Sequence, residues 1–340
     1  MLNAILLIVG LVLLIGGADL LVRGMSAIAR ALGVSPLVVG LTLVAFGTSL
    51  PEVVINTLSA FHGQTDLAFG NIIGSSSINI GFVLALTAII QPLKVEAAII
   101  VREIPMMLLG VAALVVLSED HALNGGPTNV LVRGDGMVLL LLFGVFLYYV
   151  IKDSLTRSGT RPLAQDQIIE ELNENIESGG GLVGHAMRDG PMWKNVAMSV
   201  AGLVGVGAGG KLAVDGAVGI AVAMHIPQNI IGLTLVSFGT TLPELATSIA
   251  AGRRGHGDIA IGNVVGSNIF NLLFIGGSVS AITPIEVPQG GQADLLFLAA
   301  QSLALLPIAI RGPRMITRAE GALLLLTYLT FITWRTTSAV

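Results

Sequence analysis

The sequence predicts an all-α membrane protein: ten transmembrane helices arranged as two inverted-topology five-helix repeats. The first observation behind this is composition. Of 340 residues, 54% are hydrophobic and 11% charged, and the mean hydropathy is +0.87, whereas a soluble globular protein carries about 25% charged residues. The second is an internal duplication at an offset of 192. Residues 39–52 (VGLTLVAFGTSLPE) match residues 231–244 (IGLTLVSFGTTLPE) at 11 of 14 positions, and residues 66–79 (DLAFGNIIGSSSIN) match 258–271 (DIAIGNVVGSNIFN) at seven of 14. The third is the sorting of basic residues described below.

About 20 mainly apolar residues cross a bilayer. In chain order the expected spans are 2–22, 34–61, 67–91, 100–118, 134–151, 193–214, 226–251, 258–283, 292–310 and 319–336. The first contains the apolar run Ala4–Ala18. Arg23 and Arg30 follow that run rather than precede it, so it reads as a spanning helix and not a secretory leader. Spans 34–61 and 226–251 carry the duplicated Gly-x-x-x-Pro-Glu kink. Spans 67–91 and 258–283 are preceded by Asp66 and Asp258, whose charges suit helix N-caps and first turns. The remaining spans are apolar runs. Asp19, Arg23, Lys211 and Asp215 are expected near span ends, where they snorkel or pair. Gly makes up 43 of the 340 residues, and small residues let helices pack closely in lipid.

Five spans per half is an odd number, so the second half enters the membrane upside down, as in many secondary transporters. The domains follow: 1–151 and 193–340 are the repeats, and 152–192 is a linker. With the N-terminus outside, only Arg133, Lys211 and Arg335 of the 17 Lys and Arg fall outside, leaving 17 − 3 = 14 inside. That asymmetry fits the positive-inside rule. It places both termini outside and the linker in the cytoplasm of a multi-pass protein of the plasma (inner) membrane. The linker is acidic (Asp153, Asp166, Glu170, Glu171, Glu174, Glu177, Asp189), and Ile168, Ile169, Leu172 and Ile176 recur at helical spacing. It reads as a solvated connector, with a flexible joint at residues 178–181 (SGGG). It carries no EF-hand loop.

An ionisable group at membrane depth is expensive and marks a functional site. Glu52 and Glu244 are such groups, at matched places in the two repeats. Pro51 lacks an N–H, so the Gly47 carbonyl loses its helical partner and the helix should break between them. Gly239 and Pro243 repeat the arrangement. Thr48 and Thr240 sit one turn before the glutamates. Ser75 with Asn79, and Ser267 with Asn271, are spaced i, i+4 and project two oxygens each from one helical face. The flanking GN-x-x-G segments (70–74 and 262–266) are expected to let helices approach closely. Carboxylates, hydroxyls and stray carbonyls form an all-oxygen environment suited to hard cations such as Na⁺ and Ca²⁺. With no cysteine and five histidines without ligand spacing, a thiolate or imidazole metal centre is not expected. No cofactor and no nucleic-acid partner is expected. No G-x-x-x-x-G-K-[ST] loop is present, which argues against nucleotide-driven pumping. The chain is not expected to be an enzyme, since no water-activating dyad accompanies the glutamates.

At these residues the chain resembles the cation/calcium antiporter superfamily, and within it prokaryotic sodium/calcium exchangers. The matching signatures are GTSLPE (47–52), GTTLPE (239–244), GSSSIN (74–79) and GSNIFN (266–271), within alpha-repeats at 33–92 and 225–284. The resemblance implies that Glu52 and Glu244 bind Ca²⁺ and Na⁺ alternately. It implies Thr48, Ser49, Ser75 and Asn79 as ligands from the first repeat and Thr240, Thr241, Ser267 and Asn271 from the second, with the backbone carbonyls of Ala45 and Ser237. It also implies alternating access, with the first and sixth helices sliding against the rest. Many sodium/calcium exchangers have Asp where this chain has Asn271, so two carboxylates rather than three face the ions. The expected activity is exchange of Ca²⁺ for Na⁺. The alternatives are a Ca²⁺/H⁺ or K⁺-dependent exchanger and, from a different class, a Ca²⁺ channel.

Overall fold

The computed structural model describes residues 2–32, 36–119, 128–159, 191–224, 237–311 and 314–338. In chain order the helices are α1 (Leu2–Leu32), α2 (36–48), α3 (Leu50–Phe61), α4 (Thr65–Ile90), α5 (Ile99–Leu117), α6 (Arg133–Gly159), α7 (Met192–Ala223), α8 (Ser237–Thr240), α9 (Leu242–Arg253), α10 (Gly257–Ile282), α11 (Gly291–Ile310) and α12 (Arg318–Ser338). Two antiparallel pairs of two-residue strands accompany them. Leu93–Lys94 (β1) pairs with Met315–Ile316 (β4), and Val130–Leu131 (β2) with Ile285–Glu286 (β3). Each pair ties a segment of the first half to one of the second. Two residues are too few to show an alternating pattern, so no periodicity marks them in advance.

A helix satisfies its own backbone, which is the only option for a lipid-exposed segment. Seven of these helices are long and apolar enough to cross a membrane. An eighth crossing is formed by the bent pair Leu37–Thr48 and Leu50–Phe61. α12 has 21 residues but is more polar and does not join that group. Of the expected span 226–251, residues 226–236 lie outside the described residues, and α8 and α9 make up the rest. The linker expectations, including the amphipathic helix over 168–176, also lie almost wholly outside them.

Several helices overrun their expected ends. α1 continues to Leu32 and runs for 31 residues, about 46 Å at 1.5 Å per residue, longer than a hydrocarbon core of about 30 Å. Asp19 and Arg23 therefore sit inside α1 rather than at its end. They pair at 2.9 Å, and Asp19 also binds Arg254 at the end of α9. On α7, Lys211 and Asp215 pair at 2.8 Å.

Burial separates the helices into layers. Of the most apolar 18-residue stretch, 94% is buried in α10 and 78% in α4, against 22% in α6 and 33% in α1 and α7. α4 and α10 are therefore enclosed by protein, and a polar site at membrane depth has to be built around them. α1 and α7 pack along one another and turn Ile5, Ile8, Val12 and Ile15 of α1, with Val196, Val200 and Val204 of α7, outward. The two axes approach through glycines spaced seven apart: Gly10, Gly17 and Gly24 on α1, and Gly202, Gly209 and Gly216 on α7. A Cβ on Gly209 would stand 2.4 Å from the Leu14 nitrogen, and one on Gly202 2.4 Å from the Leu21 nitrogen. The GN-x-x-G expectation holds on one side only. Gly262 and Gly266 lie against the backbone of Leu37 and Leu41, but among the described residues nothing lies within 4 Å of a Cβ on Gly70 or Gly74.

Candidate functional site

The site begins at two breaks. α2 and α3 meet at Ser49 with a bend of 48°. Ser49 has φ −85° and ψ 6°, and Thr241, at the α8–α9 joint, has φ −92° and ψ 0°. Both lie in the bridge region, sparsely used and common at active sites. Beyond each break a new helix starts with Pro51 or Pro243 in its first turn, followed at once by Glu52 or Glu244. The N–H groups and dipole of a helix N-terminus favour negative charge, so each carboxylate is held where the backbone is positive. The expected break between Gly47 and Pro51 is observed.

The second pair of walls comes from α4 and α10. Each is interrupted by a π turn, over Asn79–Leu84 and Phe270–Ile275. Such insertions are frequent at functional sites, and these begin at Asn79 and one residue before Asn271.

All four walls converge. Glu52, Glu244, Thr48, Ser49, Ser75, Asn79, Thr240, Thr241, Ser267, Asn271 and Ala45 are all buried. Glu52 and Glu244 are each 1% exposed. Ser49 Oγ lies 3.1 Å from Glu244 Oε1 and 3.2 Å from Ser267 Oγ, joining the first half to the second. Thr48 Oγ1 lies 3.3 Å from Asn263 Oδ1 and 3.3 Å from the Ala45 carbonyl, which also accepts from the Ser49 amide at 3.0 Å. Thr241 donates to the Phe238 carbonyl at 2.9 Å, and Ser75 to Asn71 Oδ1 at 3.2 Å. The backbone of Ser237 opens α8; its side chain lies outside the described residues.

What these contacts leave over defines the chemistry. The protons of Thr48, Thr241 and Ser75 are directed at neighbouring oxygens, so the hydroxyl lone pairs remain as acceptors. Both oxygens of Glu52, Glu244 Oε2, Asn79 Oδ1, Asn271 Oδ1 and Asn56 Oδ1 are buried without a hydrogen-bond donor. Thr240 interacts with the Glu52 carboxyl group. Buried acceptors in native proteins are nearly always satisfied. A cluster of unsatisfied oxygens on facing helices, with two carboxylates among them, is what a hard cation with six to eight oxygen ligands requires. Among the described residues no group of three or more His, Cys, Asp or Glu occurs, so the negative charge of the cluster comes from two carboxylates.

Sequence reasoning missed a layer of amides behind these residues. Asn263 Nδ2 lies 3.0 Å from both Thr247 Oγ1 and Ser248 Oγ and 3.3 Å from the Glu244 carbonyl. Asn268 meets Asn79 across the repeat boundary at 3.0 Å. Asn56 holds the Glu52 carbonyl at 2.7 Å. Asn71 and Asn263 occupy matched positions in the two GN-x-x-G segments, so the repeat criterion that selected Glu52 and Glu244 would have found them. Asn268 carries no such signal, because its counterpart is Ser76.

The model of the sodium/calcium exchanger protein family matches residues 2–152 and 194–337. Inner membrane protein YrbG of Escherichia coli (strain K12) is 35% identical over 287 residues, covering 84% of this chain and 82% of its own. Sodium/calcium exchanger MaX1 of Methanosarcina acetivorans is 30% identical over 356 residues, 97% of each chain. A solved structure of the sodium-calcium exchanger NCX_Mj superposes with a TM-score of 0.80 at 32% identity, covering 98% of both chains.

Proposed function

The chain belongs to the sodium/calcium exchanger protein family, and from that premise we propose that it exchanges Ca²⁺ for Na⁺ at the Glu52–Glu244 cluster by alternating access. It is a membrane antiporter of cations and not an enzyme. The observation that carries the Ca²⁺/Na⁺ reading is the set of buried, donor-free oxygens on α3, α4, α9 and α10. The cations are the transported substrates, held by Glu52, Glu244, Thr48, Ser49, Ser75, Asn79, Thr240, Thr241, Ser267 and Asn271, with the carbonyls of Ala45 and Ser237 at the breaks. The two helices of each broken span count as one crossing, giving ten crossings in two inverted halves. The duplication at a fixed offset and the paired breaks support this arrangement.

Two carboxylates balance one Ca²⁺ or two monovalent cations, and an excess of buried charge is costly. Exchange is therefore electroneutral, with two Na⁺ for each Ca²⁺. The test is uptake of radioactive calcium into proteoliposomes with Na⁺, K⁺ or pH gradients imposed one at a time. An outward Na⁺ gradient is expected to drive uptake, and clamping the membrane potential with K⁺ and valinomycin is expected to leave the rate unchanged. Uptake driven by the K⁺ or pH gradient alone would reassign the coupling ion. Flux without any counter-ion would make the protein a channel, and a strong voltage dependence would rule out electroneutrality.

The sorting of basic residues supports a plasma (inner) membrane protein with both termini outside and 152–192 in the cytoplasm. Because the chain has no cysteine, single thiols report position directly. An impermeant thiol reagent added to intact cells is expected to label Ser338→Cys and to spare Asn175→Cys; the reverse pattern overturns the orientation.

A further inference from the structure

We infer that Asn268 is a positioning residue that decides which end of the Asn79 side-chain amide faces the ions. The inference rests on the reading of Asn79 as a ligand and adds a residue that touches no ion itself.

An asparagine amide has an acceptor end and a donor end, and only the oxygen can bind a cation. Asn79 Nδ2 donates to Asn268 Oδ1 at 3.0 Å, while Asn79 Oδ1 is buried and accepts from nothing. Asn268 is oriented in turn by two groups that can only accept. Its Nδ2 lies 3.1 Å from the Ser76 carbonyl and 3.7 Å from Met107 Sδ. A carbonyl and a thioether demand the NH₂ end, which turns the Asn268 oxygen toward Asn79. That oxygen then demands the NH₂ end of Asn79, and the Asn79 oxygen is left facing the cluster. The orientation is relayed from a backbone carbonyl, which cannot rotate, through two amides. A flipped Asn79 would set oxygen against oxygen at Asn268 and point a donor at the cations.

The other half lacks this relay. Asn271 corresponds to Asn79, and the counterpart of Asn268 is Ser76, whose hydroxyl is directed at the Ile72 carbonyl at 2.8 Å. The two asparagines contributed by the repeats are therefore held differently, although the sequence makes them look equivalent.

The test is a double-mutant cycle on Ca²⁺ affinity of the purified full-length protein, by calorimetry with Ca²⁺ as the probe. Asn268→Ser is the variant of choice, because the first repeat already accommodates serine at that position. It is expected to raise the Kd for Ca²⁺ about tenfold, within the range usual for removing a group that orients a metal ligand. In an Asn79→Asp background both ends of residue 79 are oxygens, so orientation no longer matters and Asn268→Ser should weaken Ca²⁺ binding no further. Equal weakening in both backgrounds, or none in the native one, overturns the inference. Asn268→Ala provides the same cycle if the serine variant is not monodisperse. Asn79→Ala separates the two levels: unchanged Ca²⁺ affinity there would refute Asn79 as a ligand, whatever Asn268 does.

Discussion

Glu52→Gln and Glu244→Gln are each expected to abolish Ca²⁺ transport while leaving the protein folded. Glutamine keeps the shape of glutamate and removes one formal charge. With one carboxylate gone, a bound Ca²⁺ would carry an uncompensated positive charge in a site where both glutamates are 1% exposed. Breaking a buried charge pair by removing one partner costs about 3–5 kcal/mol. At about 1.4 kcal/mol per factor of ten, that is a loss of at least about 100-fold in affinity. The fold should survive, because the glutamine carbonyl oxygen can accept what the carboxylate accepted, including the Ser49 hydroxyl at Glu244 Oε1. Calcium flux and thermal unfolding with and without Ca²⁺ check this together. A ligand that binds only the folded state raises the unfolding midpoint, so Ca²⁺ should raise the Tm of the native protein and not that of either variant. Normal exchange by either variant would remove the site from this cluster.

The second large effect lies away from the ions, at the α1–α7 contact. Gly209→Ala is expected to destabilise the protein, and Gly207→Ala, two residues earlier on the same helix, to be neutral or stabilising. Alanine is the better helix former by about 1 kcal/mol, so propensity alone favours both changes. At Gly207 nothing lies within 4 Å of the added Cβ, whereas at Gly209 it would meet the Leu14 nitrogen at 2.4 Å and the Gly10 carbonyl at 2.8 Å. Those are backbone atoms that cannot swing aside, so the helices must separate. Overpacking costs about 1–3 kcal/mol, and lipid offers no hydrophobic drive to hold them together. The propensity gain is common to both, so the variants should differ by the overpacking cost, about 1–3 kcal/mol, with Gly209→Ala the less stable. Thermal unfolding followed by size exclusion reads this, and equal midpoints would mean that α1 and α7 are not held by these glycines.

Much of the site was legible because a bilayer makes polar residues conspicuous. Glu52 and Glu244 stand out in apolar stretches, and their duplication separates them from a chance polar residue. Ser75, Asn79, Ser267 and Asn271 follow from helical spacing alone, and all four are buried. The glycines at seven-residue spacing on α1 and α7 were present in the sequence, but a stripe of glycine does not name the helix it touches. α1 outruns its expected end, because Asp19 and Arg23 look like an interfacial boundary until Arg254 is brought against Asp19.

By itself the sequence determined that the chain lives in a bilayer, that it is two copies of one unit, and that the oxygens of the proposed cation site come in matched pairs. These are local properties of composition, period and repeat, and the cost of an unsatisfied polar group in lipid makes them readable. Only the tertiary structure decided which oxygens are left without donors, where the π turns shift the register of α4 and α10, and that Asn268, not Ser76, meets an asparagine of the site. Those outcomes depend on ångström-scale distances between groups far apart in the chain, 189 residues for Asn79 and Asn268. A hydrogen bond tolerates an error of only a few tenths of an ångström, and nothing in the linear pattern carries a distance that fine.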